Sequence, residues 1–118
     1  VFEDVVFGYV PDQPVIKGLS LVAPAGKVTA LVGLSGGGKS TVLALLQRFR
    51  EPQSGAIYID GQPIRDHSLE SLRRNIANVG QDIFLFEGSI LENIRVGTPD
   101  ATEEQCIAAA KAASAHDF

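Results

Sequence analysis

Apolar and polar residues alternate over the first part of the chain. Residues 1–7 (VFEDVVF) and residues 19–22 (LSLV) both show the period of two that is typical of half-buried strands. We therefore predict two strands of an antiparallel ribbon, followed by a turn at residues 24–26 (PAG). Residues 28–32 (VTALV) are apolar at nearly every position, which predicts a strand covered on both faces, as in a parallel α/β sheet.

Helical and hairpin patterns follow this apolar run. Residues 42–49 (VLALLQRF) are mostly good helix formers, and we expect the helix to stop before Pro52. Two apolar arms flank Asp60-Gly61, the dipeptide that is typical of a tight hairpin. A serine-capped pattern over residues 69–74 predicts a short helix, and residues 76–79 (IANV) predict another strand.

The last third of the chain carries two signals for helix starts. Ser89 is followed three residues later by Glu92, and Thr102 is followed three residues later by Gln105. Each pair has the spacing of a capping box, in which the two side chains bond to each other's backbone amides. We therefore predict two helices, the second of them alanine-rich.

The composition of the 118-residue chain is that of one globular domain. Hydrophobic residues make up 45% and charged residues 20% of the sequence, and no apolar run reaches the roughly 18 residues needed to cross a bilayer. The net charge of -4, without a basic cluster, argues against nucleic acid as a partner. The opening residues do not resemble a signal peptide, and the single Cys106 excludes an internal disulfide.

Residues 33–41 (GLSGGGKST) match the phosphate-binding pattern G-x-x-x-x-G-K-[ST], between a predicted strand and a predicted helix. Such a loop turns backbone N–H groups toward an anion, and the helix dipole adds positive charge. Lys39 is expected to reach the β- and γ-phosphates, and the Ser40 hydroxyl to bind Mg²⁺. The alternative without a binding role is a glycine-rich surface loop with a solvated lysine. The candidate phosphate-binding residues are Gly33, Ser35, Gly36, Gly37, Gly38, Lys39, Ser40 and Thr41.

Four segments together resemble the nucleotide-binding domain of ATP-binding-cassette (ABC) transporters, particularly exporters. They are VFEDVVFGY, GLSGGGKST, SGAIYIDGQPI and NVGQDIFLFEGSILENI, and they occur in the order that the family has. The resemblance implies an α/β fold of the P-loop NTPase type, an ABC ATPase core with an antiparallel β ribbon and the start of a helical subdomain. It also implies that the chain binds ATP with Mg²⁺.

The resemblance assigns roles to two residues outside the loop. An aromatic residue at the position of Tyr9 stacks on the adenine ring in this family, and a glutamine at the position of Gln81 senses the γ-phosphate and Mg²⁺. Together with Lys39, Gln81 is therefore a candidate catalytic residue, and together with Ser40 a candidate metal ligand. The alternatives are a surface aromatic after a strand for Tyr9 and an ordinary polar residue ending a strand for Gln81.

The resemblance also implies partners. In exporters, the segment matching residues 82–94 is pressed against the transmembrane domain, at the cytoplasmic face of the membrane. Two nucleotide-binding domains sandwich two ATP molecules head to tail. Phe84 and Phe86 are candidates for the partner-facing surface, although paired aromatics are as often core residues of a folded loop.

Several features expected for hydrolysis are not found in the chain. Asp60 follows an apolar strand, as the magnesium-binding carboxylate of the family does. Because Gly61 comes next, however, we expect Asp60 to be a hairpin residue. The family's acidic strand, LSGGQ-type signature and switch histidine do not occur. We therefore expect residues 1–118 to be the amino-terminal part of a truncated nucleotide-binding domain. The alternatives are a nucleotide-binding module without turnover and a soluble ABC-type ATPase of DNA repair or translation.

The remaining reactive side chains carry no site in the sequence. His67 and His116 have no carboxylate or cysteine at metal-ligand spacing, so we expect both at the surface. Cys106 falls within a helical pattern and is expected to pack in a core.

Overall fold

The computed structural model describes residues 1–82 and 84–116 of the chain. They fall into two compact units, Val1–Ala77 and Asn78–Phe118, and each is described by itself.

The first unit contains a four-stranded antiparallel sheet. Its strands are β1 (Phe2–Phe7), β2 (Ile16–Leu21), β3 (Ser54–Ile59) and β4 (Gln62–Pro63). They are ordered β2-β1-β3-β4 across the sheet, so the expected ribbon and the expected hairpin are both confirmed. The turn after the ribbon is also confirmed, because the Lys27 amide donates to the Pro24 carbonyl over 3.3 Å.

An irregularity in β1 changes which of its residues face the core. Phe2, Val5 and Phe7 are buried, so the spacing is three and then two. Asp4 has a φ of 45°, and the pairing register with β2 shifts between Phe2 and Val5, as in a β-bulge. Simple alternation predicts the strand correctly but not this shift, because the bulge depends on the neighbouring strands.

Two α-helices and a single 3₁₀ turn (Ile64–Asp66) complete the first unit. Helix α2 (Leu69–Arg74) begins after Ser68, whose hydroxyl accepts from the Ser71 amide, as expected. Helix α1 (Lys39–Leu46) begins three residues before the predicted start and also ends earlier.

Helix α1 ends because of the backbone conformation of Arg48, four residues before Pro52. Arg48 has a φ of 52°, and its amide donates to Leu45 while the Phe49 amide donates to Ala44. This pair of bonds is a Schellman motif, which more often uses glycine at the left-handed position. The Arg48 guanidinium donates to the carbonyls of Ile64 (3.1 Å) and His67 (2.7 Å), which stabilises the unusual backbone.

The core of the first unit lies between the sheet and α1. Val42 and Leu45 of α1 pack in one cluster with apolar residues of the strands and of the segment around α2. Burial of large apolar side chains contributes roughly 1.5–3 kcal/mol each, so this cluster fixes the position of α1. The other buried members are Phe2, Val5, Phe7, Ile16, Ile57, Ile64 and Leu72.

Two predicted strands are wrong. Residues 28–32 and 76–79 have no strand assignment, and Val28, Val32 and Val79 are 100%, 89% and 98% exposed. Within residues 1–82 and 84–116, no strand runs alongside either segment, so neither has a ladder partner. An apolar run without a neighbouring strand has no ladder hydrogen bonds to form.

The second unit is built from α3 (Ile90–Arg95) and α4 (Glu103–Ala112). Both predicted capping boxes are present with their reciprocal hydrogen bonds. Cys106 is 2% exposed, which confirms that it packs in a core. Among the described residues, no helix is both long and apolar enough to cross a membrane.

Candidate functional site

The loop of residues 33–38 leads directly into α1. Gly38 occupies the N-cap position and has no side chain to cap the helix, and the first helical backbone bond is that of the Val42 amide to the Gly38 carbonyl (3.0 Å). The amides of Lys39, Ser40 and Thr41 therefore have no intrahelical acceptor. An uncapped start of an eight-residue helix directs N–H groups and positive dipole charge toward the loop.

The Lys39 side chain folds back over the loop. Its ammonium donates to the carbonyls of Gly33 (2.8 Å) and Leu34 (2.7 Å). The Gly37 amide donates to the same Leu34 carbonyl over 3.1 Å. A lysine ammonium has three donors, so one N–H of Lys39 is left for an anion after the loop has been held together.

Two glycines are required by the shape of this loop. Gly36 and Gly38 have φ values of 78° and 83°, in the left-handed region where a side chain is strained. A Cβ at Gly38 would also lie 2.7 Å from Cδ1 of Ile16. The loop thus packs closely against β2, and the motif's second glycine is needed for this contact as well as for the backbone turn.

The hydroxyls of Ser40 and Thr41 lie in different environments. Ser40 is exposed in the first turn of α1, where its oxygen is accessible to a ligand. Thr41 is only 6% exposed and is the single buried polar residue among those described. Its hydroxyl lies 3.2 Å from that of Tyr9.

Tyr9 follows β1 and remains largely open to solvent. The residue is 58% exposed, and its ring makes an edge-to-face contact with Phe7, with centroids 5.0 Å apart. This position fits both interpretations of Tyr9, the adenine-stacking residue and the surface aromatic after a strand, so its role stays a prediction. The structure brings Tyr9 and the phosphate loop together through Thr41.

Comparisons with known proteins agree with this arrangement. The sequence pattern of the ABC transporter family matches residues 16–118. The chain belongs to the ABC transporter family. A bacterial Atm1-family ABC exporter, solved with ATP bound, superposes with a TM-score of 0.94 at 45% identity, over 99% of this chain and 21% of that one. The P-loop NTPase fold inferred from the sequence is thereby confirmed.

Curated members of the ABC transporter family are similar over almost the whole chain. The mitochondrial iron-sulfur clusters transporter atm1 of Neurospora crassa is 59% identical over 98% of this chain. The β-(1→2)glucan export ATP-binding/permease protein NdvA of Nitrobacter winogradskyi is 54% identical over 99%. The chain spans only 16% and 19% of the lengths of these two relatives.

The other candidate residues implied by the ABC resemblance, Gln81, Phe84 and Phe86, belong to the second unit. Gln81 is exposed in a bend, and its role stays a prediction. Phe84 and Phe86 are 76% and 53% exposed and make an edge-to-face contact at 5.0 Å. Asn93 bonds to both the amide and the carbonyl of Phe86, at 2.8 and 3.0 Å, so this segment is held in place by α3. Ile83, part of the predicted partner-facing segment, lies outside the described residues.

Two contacts of the site could not be predicted from the sequence. The Leu34 carbonyl, which accepts from both Lys39 and Gly37, belongs to a position where the motif allows any residue. The Tyr9–Thr41 contact joins residues 32 positions apart, and no local pattern signals it. The described residues contain no group of three His, Cys, Asp or Glu side chains that could hold a metal ion.

Proposed function

We propose that this chain binds Mg-ATP through residues 33–41. The observation that carries the proposal is the uncapped start of α1 beneath a glycine loop whose lysine keeps one N–H available. Polyphosphate is the anion that suits it, because the loop offers several convergent N–H donors and one mobile cation. The loop carbonyls already occupy two Lys39 donors, so the cation is held beside the place where phosphate would bind.

The remaining groups are assigned to the nucleotide and its metal. Tyr9 offers an open ring to the adenine base, and Ser40 offers an exposed hydroxyl to Mg²⁺. Bound Mg²⁺ would neutralise charge on the phosphate oxygens. Gln81 is proposed to sense the γ-phosphate and the metal.

For the full-length protein, we propose an exporter that couples ATP hydrolysis to transport across a membrane. The support is membership of the ABC transporter family and similarity over 99% of the chain to an export permease and to a solved ABC exporter. Residues 1–118 then form the amino-terminal part of its nucleotide-binding domain, with Phe84 and Phe86 facing the transmembrane domain. That domain holds it at the cytoplasmic face, and a second nucleotide-binding domain pairs with it head to tail.

A nucleotide-binding module without turnover is the alternative for the chain alone. It is favoured by the position of Asp60, which is an exposed residue of the β3–β4 turn. Steady-state phosphate release separates the two proposals. The 118-residue chain is expected to release no phosphate above background, whereas the full-length protein is expected to turn over.

Lys39→Ala in the full-length protein tests the site. Loss of a charge-assisted hydrogen bond costs about 1.5–3 kcal/mol, so ATP should bind about 10- to 150-fold more weakly. Adenosine, which has no phosphate, should bind as it does to the unchanged protein. Both ligands are titrated by calorimetry.

Lys27→Ala is the matched control, because Lys27 is an exposed lysine in a turn of the same unit. It should change neither affinity. Equal losses of ATP and adenosine affinity in Lys39→Ala would show that Lys39 only maintains the fold.

A further inference from the structure

Tyr9 and Thr41 link two parts of the proposed nucleotide site. The hydroxyl oxygens lie 3.2 Å apart, within hydrogen-bond distance, and either group can be the donor. Tyr9 belongs to the loop after β1, whereas Thr41 belongs to the first turn of α1. This is the one side-chain hydrogen bond that the described residues show between that loop and α1.

Both ends of the link are anchored. The loop after β1 is closed by the Gln13 amide bond to Val10 (3.2 Å), and a Cβ at Gly8 would meet the Gln13 carbonyl oxygen. Thr41 is buried in α1, whose apolar face belongs to the core of the unit. The Tyr9 ring is thus fixed at its backbone end by a tight loop and at its hydroxyl end by the helix.

We propose that Tyr9 is a positioning residue that sets the distance between the base platform and the phosphate loop. This inference rests on the proposed function. A ligand with two linked parts gains affinity when its two subsites are already held at the spacing of the linker. The Tyr9–Thr41 bond therefore favours a nucleotide, which has both a base and phosphates, over adenosine or pyrophosphate alone.

The hydroxyl can be tested separately from the ring. Tyr9→Phe keeps an aromatic face for stacking and removes only the link, whereas Thr41→Val removes the other hydroxyl at nearly constant shape. The dissociation constants of Mg-ADP, adenosine and pyrophosphate are measured on the full-length protein for both variants and the double variant. ADP avoids turnover during the titration. Tyr58→Phe is the control, because Tyr58 lies on β3 and is the only other tyrosine.

The expected result is selective. A part-buried hydrogen bond contributes about 0.5–1.5 kcal/mol, so Tyr9→Phe should weaken ADP by about 2- to 10-fold. In Tyr9→Phe, adenosine and pyrophosphate affinities should each change by less than about twofold, since neither ligand spans the two subsites. Thr41→Val also removes a candidate phosphate-binding hydroxyl, so this variant serves only as the background for the double variant. In the Thr41→Val background, Tyr9→Phe should produce no further loss, because the bond is already absent.

Three outcomes overturn the inference. Unchanged ADP affinity in Tyr9→Phe, or a full additional loss in the Thr41→Val background, would show that the link is not used. Equal weakening of adenosine and ADP would show that the hydroxyl serves stacking alone. In each of these cases ADP still binds the unchanged protein, and the proposed function stands. Failure of the unchanged protein to bind ADP would overturn the proposed function as well.

Discussion

At the scale of single residues, Asp60 and Gly61 form the β3–β4 turn together but have different roles in it. Asp60 and Gly61 have φ values of 49° and 77°, the pattern of a type I′ hairpin turn. Asp60 is exposed in this turn, which confirms the hairpin interpretation, and the expectation that Asp60 does not bind Mg²⁺ stays a prediction.

The two residues should therefore respond differently to substitution. Asp60→Asn should leave stability and Mg-ATP binding unchanged, because asparagine also accepts positive φ in turns. Gly61→Ala should lower the free energy of unfolding by about 1–2 kcal/mol from backbone strain alone, since a Cβ there meets nothing within 4 Å. Chemical denaturation and ATP titration measure both variants. Loss of Mg-dependent binding in Asp60→Asn would restore Asp60 as a metal ligand.

The end of α1 at Arg48 could not be predicted from the residue types. Its left-handed backbone ends α1, yet arginine is a good helix former, so the sequence predicts that the helix continues to Phe49. The acceptors that stabilise this conformation are the carbonyls of Ile64 and His67, 16 and 19 residues away. A helix end that depends on distant carbonyls has no local sequence signal.

At the scale of elements, the two capping boxes of the second unit differ in charge. Glu92 accepts from the amide (2.6 Å) and hydroxyl (2.8 Å) of Ser89, and these bonds, with the nearby charge of Arg95, hold the pKa of Glu92 below its usual value. In the other box the neutral Gln105 accepts from the Thr102 amide over 2.9 Å. Both helix starts can be predicted from the sequence because a capping box spans only four residues.

The start of α3 should therefore depend on pH. A carboxylate with a lowered pKa stabilises the folded state above its unfolded pKa, and this stabilisation is lost as pH falls through the lowered folded value. The Ser89 amide resonance should titrate below the usual range for glutamate, whereas the Thr102 amide should not move with it. Two-dimensional NMR follows both signals. Glu92→Gln should abolish the Ser89 titration, and a titration that persists in this variant would assign it to another group.

At the scale of the whole molecule, most of the phosphate loop could be predicted from the sequence, but the sheet around it could not. Residues 33–41 form a local motif, and the structure agrees with their loop-to-helix geometry. The strand predicted at residues 28–32 depends on partners, and none lies beside it among the described residues. The chain also spans only 16–21% of the length of the relatives and the solved structure compared above.

We predict that residues 28–32 are a paired strand in the full-length protein. Val28 and Val32 are almost fully exposed in this chain, and an apolar run of this kind is stable only when both faces are covered. Amide hydrogen exchange at residues 29–32 should be slower by about 100-fold or more in the full-length protein than in the 118-residue chain. Amides of β1 are the control, because β1 is paired on both sides within the chain and should be protected in both samples. Equally fast exchange at residues 29–32 in the two samples, with β1 protected, would show that the segment remains an exposed connection and that its apolar pattern does not encode a strand.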